Sequence, residues 1–512
     1  MNLNIKKIVF LSSLFLSVPT AAQINVVPEK KLQKGFGEID FLSIGMPNNE
    51  VNMGITGIHY NIELSKWGAY GGLGIYGAVS GIRGGFFTLG VNLGVKKYFS
   101  DQVFTDIGFN LGGGGGAAAP DGGGAFILPH VNLGYNFKDF SAQAGWSYVD
   151  FFDGGNIAGS QFNFGVEVPL NFDYANYINQ ESEFIYNDIK PTKWNRKARR
   201  KSLIFNLSNF NLRGGDRQSY EQLYTGETIR LAGFELASYF HENWFAFVNL
   251  DGAYSAIQAG FMDVFMGVGY LYAFNQDRTN IIAKIMLGAG GGGGIETGGG
   301  FIFKPDISIE QKIYGDFFFA LNKGKVMNPE ISANNSIYGL GLKYYINHGG
   351  AFNGNTNFDN FIFKGINVIV KHDLYLDSVR NTNPPEDLYQ ISLQLNLNIN
   401  KNLFVSGQSS FANFGSAGAY AEGLVGAGAR TNPFFSNTHF FTQVLVGAAG
   451  GGGISTGEGF IVKPSIGIST KLYDKFSLRF AGGYVKATGS ALSSKLFNFG
   501  IQYNISILKK TI

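Results

Sequence analysis

Six histidines, His59, His130, His241, His348, His372 and His439, are the side chains here best suited to acid–base or metal chemistry. Their spacing favours neither. No two form an H-x-x-x-H pair and the chain contains no cysteine, so the usual ligand sets for zinc or an iron–sulfur cluster are missing. A Ser-His-Asp hydrolase needs its members gathered from separate strands, and His372–Asp373 is the one His-Asp neighbour pair. No catalytic residue, metal ligand or cofactor site is therefore assigned, and the chain is read as a non-enzyme.

Glycine is the other candidate for chemistry. The chain holds 73 glycines in 512 residues, about twice the usual share of roughly 7%, and many stand in blocks. A phosphate-binding glycine loop must run into a helix N-terminus. Here the blocks run into β-patterned segments, without the Lys-Ser or Lys-Thr of a nucleotide loop. The blocks instead mark a repeat. Residues 111–129 read LGGGGGAAAPDGGGAFILP, 287–305 read LGAGGGGGIETGGGFIFKP, and 446–464 read VGAAGGGGISTGEGFIVKP. They align without a gap at offsets of 176 and 159, which also superpose Gly165, Gly341 and Gly500 in a later segment. The chain is thus a triplication. At aligned positions His130 becomes Asp306 and Ser465, and Glu167 becomes Lys343 and Gln502. Neither a tripled histidine site nor a charge ring of one sign follows from that pattern.

Each copy is built from period-two segments. Tyr389, Ile391, Leu393, Leu395, Leu397 and Ile399 alternate with Gln390, Ser392, Gln394, Asn396 and Asn398. Phe497, Phe499, Ile501 and Tyr503 alternate in the same way with Asn498, Gly500, Gln502 and Asn504. Such alternation makes half-buried strands. Their length, about 10 to 14 residues against a usual mode of about 5 to 6, suits a tilted membrane strand. The apolar face would then meet lipid and the polar face a lumen. The third copy divides into eight strands near 359–375, 387–399, 402–414, 417–431, 436–451, 456–472, 475–487 and 494–508.

The N-terminus supplies an address. Lys6 and Lys7 precede an apolar stretch over 8–18 and small residues at Thr20, Ala21 and Ala22, the order of a cleaved secretory signal. Without it, 40 basic residues against 37 acidic become a surplus of one, which leaves no electrostatic case for nucleic acid. The expected organisation is a signal peptide at 1–22, a short periplasmic segment at 23–36, and barrel repeats at 37–173, 202–347 and 359–512. A basic linker at 174–201, containing KWNRKARRK, and a second linker at 348–358 join the repeats. The basic run is read as a solvated loop beside anionic headgroups, or as a docking site.

In general type the chain resembles Gram-negative outer-membrane β-barrel proteins: a signal segment, alternating strands, aromatic strand ends, Gly- and Asn-rich turns and a final amphipathic strand. It departs from them at the C-terminus, which reads ILKKTI rather than ending on an aromatic residue. The resemblance implies an all-β transmembrane antiparallel barrel in the outer membrane, in contact with lipid. Three repeats of about eight strands suggest one barrel of about 24 strands, with three eight-stranded barrels in a row as the alternative. The expected function is a porin-like conduit or transporter for solutes; the alternative is a non-catalytic structural or assembly subunit. Gly112, Gly113, Gly114, Gly115 and Gly116, Gly290, Gly291, Gly292, Gly293 and Gly294, and Gly450, Gly451, Gly452 and Gly453 form strips without side chains. They are expected to face a partner, another copy of the chain or a lumen, or else simply to let the sheet curve.

Overall fold

The computed structural model describes residues 26–212, 226–255, 259–331, 333–351, 358–435, 437–473 and 475–511. The expected signal peptide at 1–22 lies outside the described residues, as do 23–25 and 352–357 of the expected connecting segments. Among the described residues, 24 strands of ten or more residues carry the fold. They follow the alternation closely: Glu386–Asn398, Leu403–Phe414 and Phe476–Ala487 lie within a residue or so of the expected spans.

The expectation of a single wall of 24 strands is overturned by the pairing. The first eight long strands, from Gly35–Ile44 to Ala158–Pro169, close on themselves as a barrel. Phe36 to Leu42 of the first strand pair antiparallel with Pro169 to Asn163 of the eighth, which leaves no edge to extend. The remaining long strands lie in one 17-stranded sheet. That sheet turns back on itself twice: Arg199–Asn211 pairs with Ala333–His348, and Asn360–Ser378 with Ser493–Lys510. A further bridge, His348 to Lys509, joins its two halves. Three separate barrels strung in a row do not describe this arrangement either, because the second and third copies share one sheet and all three copies pack together. We call the copies the first, second and third lobes. A strand that closes early does so because its edge hydrogen bonds are met by a strand of the same copy, at a lower loop-closure cost than a partner several hundred residues away.

Polarity is inverted relative to a water-soluble protein. On the last strand Phe497, Phe499 and Ile501 are 52, 57 and 55% exposed, whereas Asn498, Gln502 and Asn504 are each 6% exposed. Ser392, Gln394, Glu235, Asn249 and Asp106 are buried in the same way. An apolar outer face and a polar inner face are what a membrane-spanning strand requires.

The two ends of the lobes differ. Short turns such as Gly315–Asp316, where Gly315 adopts a left-handed φ of 54°, lie at the end that also holds the N-terminal segment and the linker. The glycine blocks lie at the other. At the linker end Lys31–Gln33 pairs with Phe172–Tyr174, and Glu183–Ile185 adds to the start of Asn360–Ser378. Between them Trp194 is fully buried against a cluster with Phe361, Phe363 and Leu508, and its indole N–H donates to the Pro28 carbonyl at 2.7 Å. The basic run is therefore not simply a solvated loop. Its tryptophan is an anchor, while Lys193, Arg196, Lys197 and Arg199 remain exposed.

Candidate functional site

Inward polar side chains pair across each lobe. In the first, Asn92 donates to His59 Nδ1 at 3.1 Å, so His59 Nε2 carries the proton and donates to Asp40 at 3.0 Å. Tyr76 donates to the second Asp40 oxygen, and Lys96 grips Glu167 at 2.6 Å beneath the Phe36 ring. In the second lobe Lys284 pairs with Glu235 at 2.8 Å, Lys304 with Asp251 at 3.3 Å and Lys343 with Glu310 at 2.7 Å. In the third, Lys463 bridges Asp373 at 2.8 Å and Glu422 at 3.2 Å. There Arg479 lies 3.5 Å over the Phe441 ring and donates to Gln443. Buried charges are sustained only when paired and hydrogen-bonded in this way.

These lattices fill the narrow space that the strands of each lobe enclose. The third holds Ser392, Gln394, Asn396 and Gln408 beside its charged groups, with a buried apolar cluster that includes Tyr375, Tyr420, Leu445 and Val485. Both side-chain polar atoms of Gln390, Gln408 Oε1, Asn498 Oδ1 and Arg479 Nε have no hydrogen-bond partner in the protein. Buried polar groups of that kind are commonly satisfied by water, and the first and second lobes hold others, among them Asn132 Oδ1, Gln161 Oε1, Asn249 Oδ1 and Asn280 Oδ1.

The linker-end mouth of the third lobe is stoppered. The short helical turn Tyr177–Asn179 presents the Tyr177 hydroxyl to Asn398 at 2.9 Å and to Arg430 at 2.7 Å. Gln180 Oε1 accepts from the same two side chains, and Glu181 pairs with Lys364 at 3.0 Å. Asn398 and Asn367, the latter 3.5 Å from Arg430, belong to the inward face of their strands. Tyr177, Gln180 and Glu181 thus cap the third bore through polar contacts rather than an apolar plug.

No family model and no curated protein sequence matches this chain. Solved structures similar to it include OpdQ of Pseudomonas aeruginosa, at 8% identity over 93% of this chain and 98% of that one, with a TM-score of 0.22. They also include the ferric enterobactin receptor PfeA of the same organism, at 9% identity over 92 and 80% of the two chains and a TM-score of 0.28. A KdgM porin solved with oligogalacturonate matches 59% of this chain and 98% of its own at 8% identity, with a TM-score of 0.15. In general type the chain resembles outer-membrane β-barrel proteins. At such scores the likeness goes no further.

The histidine pair does not make a triad. His372 and Asp373 are neighbours on a strand and so point to opposite faces. His372 turns outward between Tyr389 and Phe499, while Asp373 turns inward to Lys463 and Ser392. His130 lies 3.8 Å from Asp106 and 3.5 Å from the Tyr70 hydroxyl. Among the described residues no three His, Asp or Glu side chains form a metal-ligating group. Glu167, Lys343 and Gln502 all point inward, the first two each bound to a partner of opposite charge.

The glycine strips lie at the far end from the stopper. Gly112, Gly113, Gly114 and Gly115 end the strand Val103–Gly115, Gly290 and Gly291 end Thr279–Gly291, and Gly450 ends Thr438–Gly450. Gly116, Gly292, Gly293, Gly294, Gly451, Gly452 and Gly453 continue into the turns. A Cβ on Gly113 would strike the Ala412 carbonyl of the third lobe, one on Gly291 would meet Gly84 and Gly85 of the first, and one on Gly450 would meet Ala259 and Gly260 of the second. Each strip thus faces the next lobe in a cycle. Interlobe backbone bonds, Gly84 N–H to the Gly298 carbonyl at 2.9 Å and Ala259 N–H to that of Gly457 at 3.1 Å, run beside them. The inward ion pairs went unnoticed in the sequence, although a signal existed. Lys304 and Lys463 occupy the same position before the aligned prolines, on the polar phase of their strands.

Proposed function

We propose that the protein is an outer-membrane β-barrel protein acting in transport, porin-like in architecture and without catalytic chemistry. Its route is the narrow bore of the third lobe, gated at the linker end. The observation that carries this reading is the seating of Tyr177 and Gln180 on the inward residues Asn398 and Arg430, with Glu181 paired to Lys364 beside them. Hydrogen bonds to a polar rim can exchange for water at modest net cost, and Tyr177 and Gln180 hold that rim by hydrogen bonds alone. The cargo is small and hydrophilic, because buried polar side chains such as Gln394, Asn396 and Gln408 crowd the interior of the lobe and leave no room for a large solute.

Planar-bilayer conductance of the purified protein tests this. The wild type should show little or no current. The double substitution Tyr177→Ala and Gln180→Ala should raise open probability at least about tenfold, the equivalent of about 1.4 kcal/mol. Silence in both, with the protein inserted and folded, would end the transport reading. A large, permanently open conductance in the wild type would end the gated one.

A further inference from the structure

Where the three lobes meet, just inside the glycine strips, the outward faces of their strands enclose an apolar cleft. Its volume is about 300 Å³, at the lower end of ligand pockets, which span about 300–1,000 Å³. Phe205, Phe234 and Leu250 of the second lobe face Phe411, Val425 and Val446 of the third, and Phe87 of the first closes one side. The two carboxylates on lining residues belong elsewhere. Asp251 is bound to Lys304, and Glu422 to Lys463, on the inner faces of their lobes.

The cleft continues into the lipid-facing surface. Along single strands the outward residues pass from shielded to open toward the linker end: Phe234 is half-buried and Leu236 is 52% exposed, while Val446 is half-buried and Val444 is 47% exposed. One wall is also bare. A Cβ on Gly423 would meet nothing within 4 Å, and Gly423 has no left-handed φ. Apolar walls, no free charge and a mouth opening on the apolar belt leave one class of occupant.

We propose that this cleft binds the hydrocarbon chain of a membrane lipid, held between the lobes beneath the glycine strips. The site rests on the membrane placement proposed above and is independent of the gated bore. A chain buried there is withdrawn from exchange with bulk lipid and gains contact with close-packed walls rather than with fluid chains. It also fills what would otherwise be a void in the interlobe contact.

Native mass spectrometry of protein reconstituted with dioleoylphosphatidylethanolamine, then taken through detergent washes, tests the site. The wild type should retain a stoichiometric lipid. Gly423→Phe, whose ring enters the open space, should lower retention by at least about tenfold, equivalent to about 1.4 kcal/mol. Gly423→Leu should lower it less. Gly482→Phe, on the strand Phe476–Ala487 away from the cleft, should retain lipid as the wild type does. Heat-modifiable gel mobility confirms that each variant is folded. Equal retention in folded Gly423→Phe and wild type, or no retained lipid in the wild type, would overturn the proposal. Recovery of the protein in the inner-membrane or soluble fraction would overturn the membrane placement itself.

Discussion

The glycine end and the linker end of this molecule hold the same three lobes together by opposite means. At the glycine end the lobes approach backbone to backbone, with Gly113, Gly291 and Gly450 admitting the next lobe where a Cβ would collide. At the linker end a separate stretch of chain is inserted and anchored by large side chains, Trp194 in an apolar cluster and Tyr177 on a polar rim. Contact through bare backbone is close and intolerant of any added atom. Contact through side chains tolerates conservative replacement, because a neighbouring rotamer can fill part of the space. The proposed gate is built on the second kind of contact and the junction at the glycine strips on the first.

The largest effect expected lies inside a lobe and sets the scale for both ends. Lys343→Met should cost about 3–5 kcal/mol in urea unfolding, because Glu310 is left buried without a counter-charge, beside the Tyr345 hydroxyl at 2.6 Å and the Asn280 amide at 3.4 Å. Trp194→Ala should cost a similar or slightly smaller amount, about 3–5 kcal/mol for a large aromatic truncated in a core, and should loosen the linker end to proteolysis. Trp194→Phe should recover most of that loss. If it does not, the linker end is as unforgiving as the glycine end and the contrast fails.

Overpacking at the glycine end should cost about 1–3 kcal/mol per substitution. Gly113→Val should already show this in full, and Gly113→Ala should show much of it, since the obstacle meets the first carbon. Equal stability of Gly113→Ala and wild type would sink the backbone-contact account. Gly482→Ala, with no close neighbour, provides the control.

The smallest effect concerns pH. Asp121, in the turn following the first glycine strip, is 8% exposed and accepts from the Gly116 N–H at 2.7 Å. Burial pushes its carboxyl up to about 6 despite that hydrogen bond. A folded value above the unfolded one, about 3.9, means that the native state holds the proton more tightly. The stabilisation is therefore full below about pH 4 and is lost as pH rises through about 6. Unfolding midpoints should fall across that window by an amount on the order of 1 kcal/mol, and Asp121→Asn should flatten the dependence. An unchanged slope in Asp121→Asn would assign the dependence to other groups.

Much of this architecture was legible in the residues. The phase of alternation in 389–399 and 497–507 placed apolar side chains outside and polar ones inside, because successive residues on a strand must face opposite ways. The same rule, applied to His372 and Asp373, already forbids them a common site. The third-lobe strands were located to within a few residues for the same reason. The Tyr177 stopper carried no signal, because the partners Asn398 and Arg430 lie more than two hundred positions away and nothing in the linker's composition points to them. The aligned Lys304 and Lys463 could have been read as inward cations, but their partners Asp251, Asp373 and Glu422 come from other strands.

By itself, then, the sequence determined the strands, their number, their inner and outer faces and the threefold repetition, all consequences of local period and composition. Tertiary structure alone decided which strand closes on which. The hydrogen-bonding edge of a strand is the same whatever partner it meets, so Phe36 to Leu42 could in principle have extended a wall of 24. Their pairing with Asn163 to Pro169 instead closed the first lobe, and with it turned the glycine strips toward neighbouring lobes and opened the cleft between them.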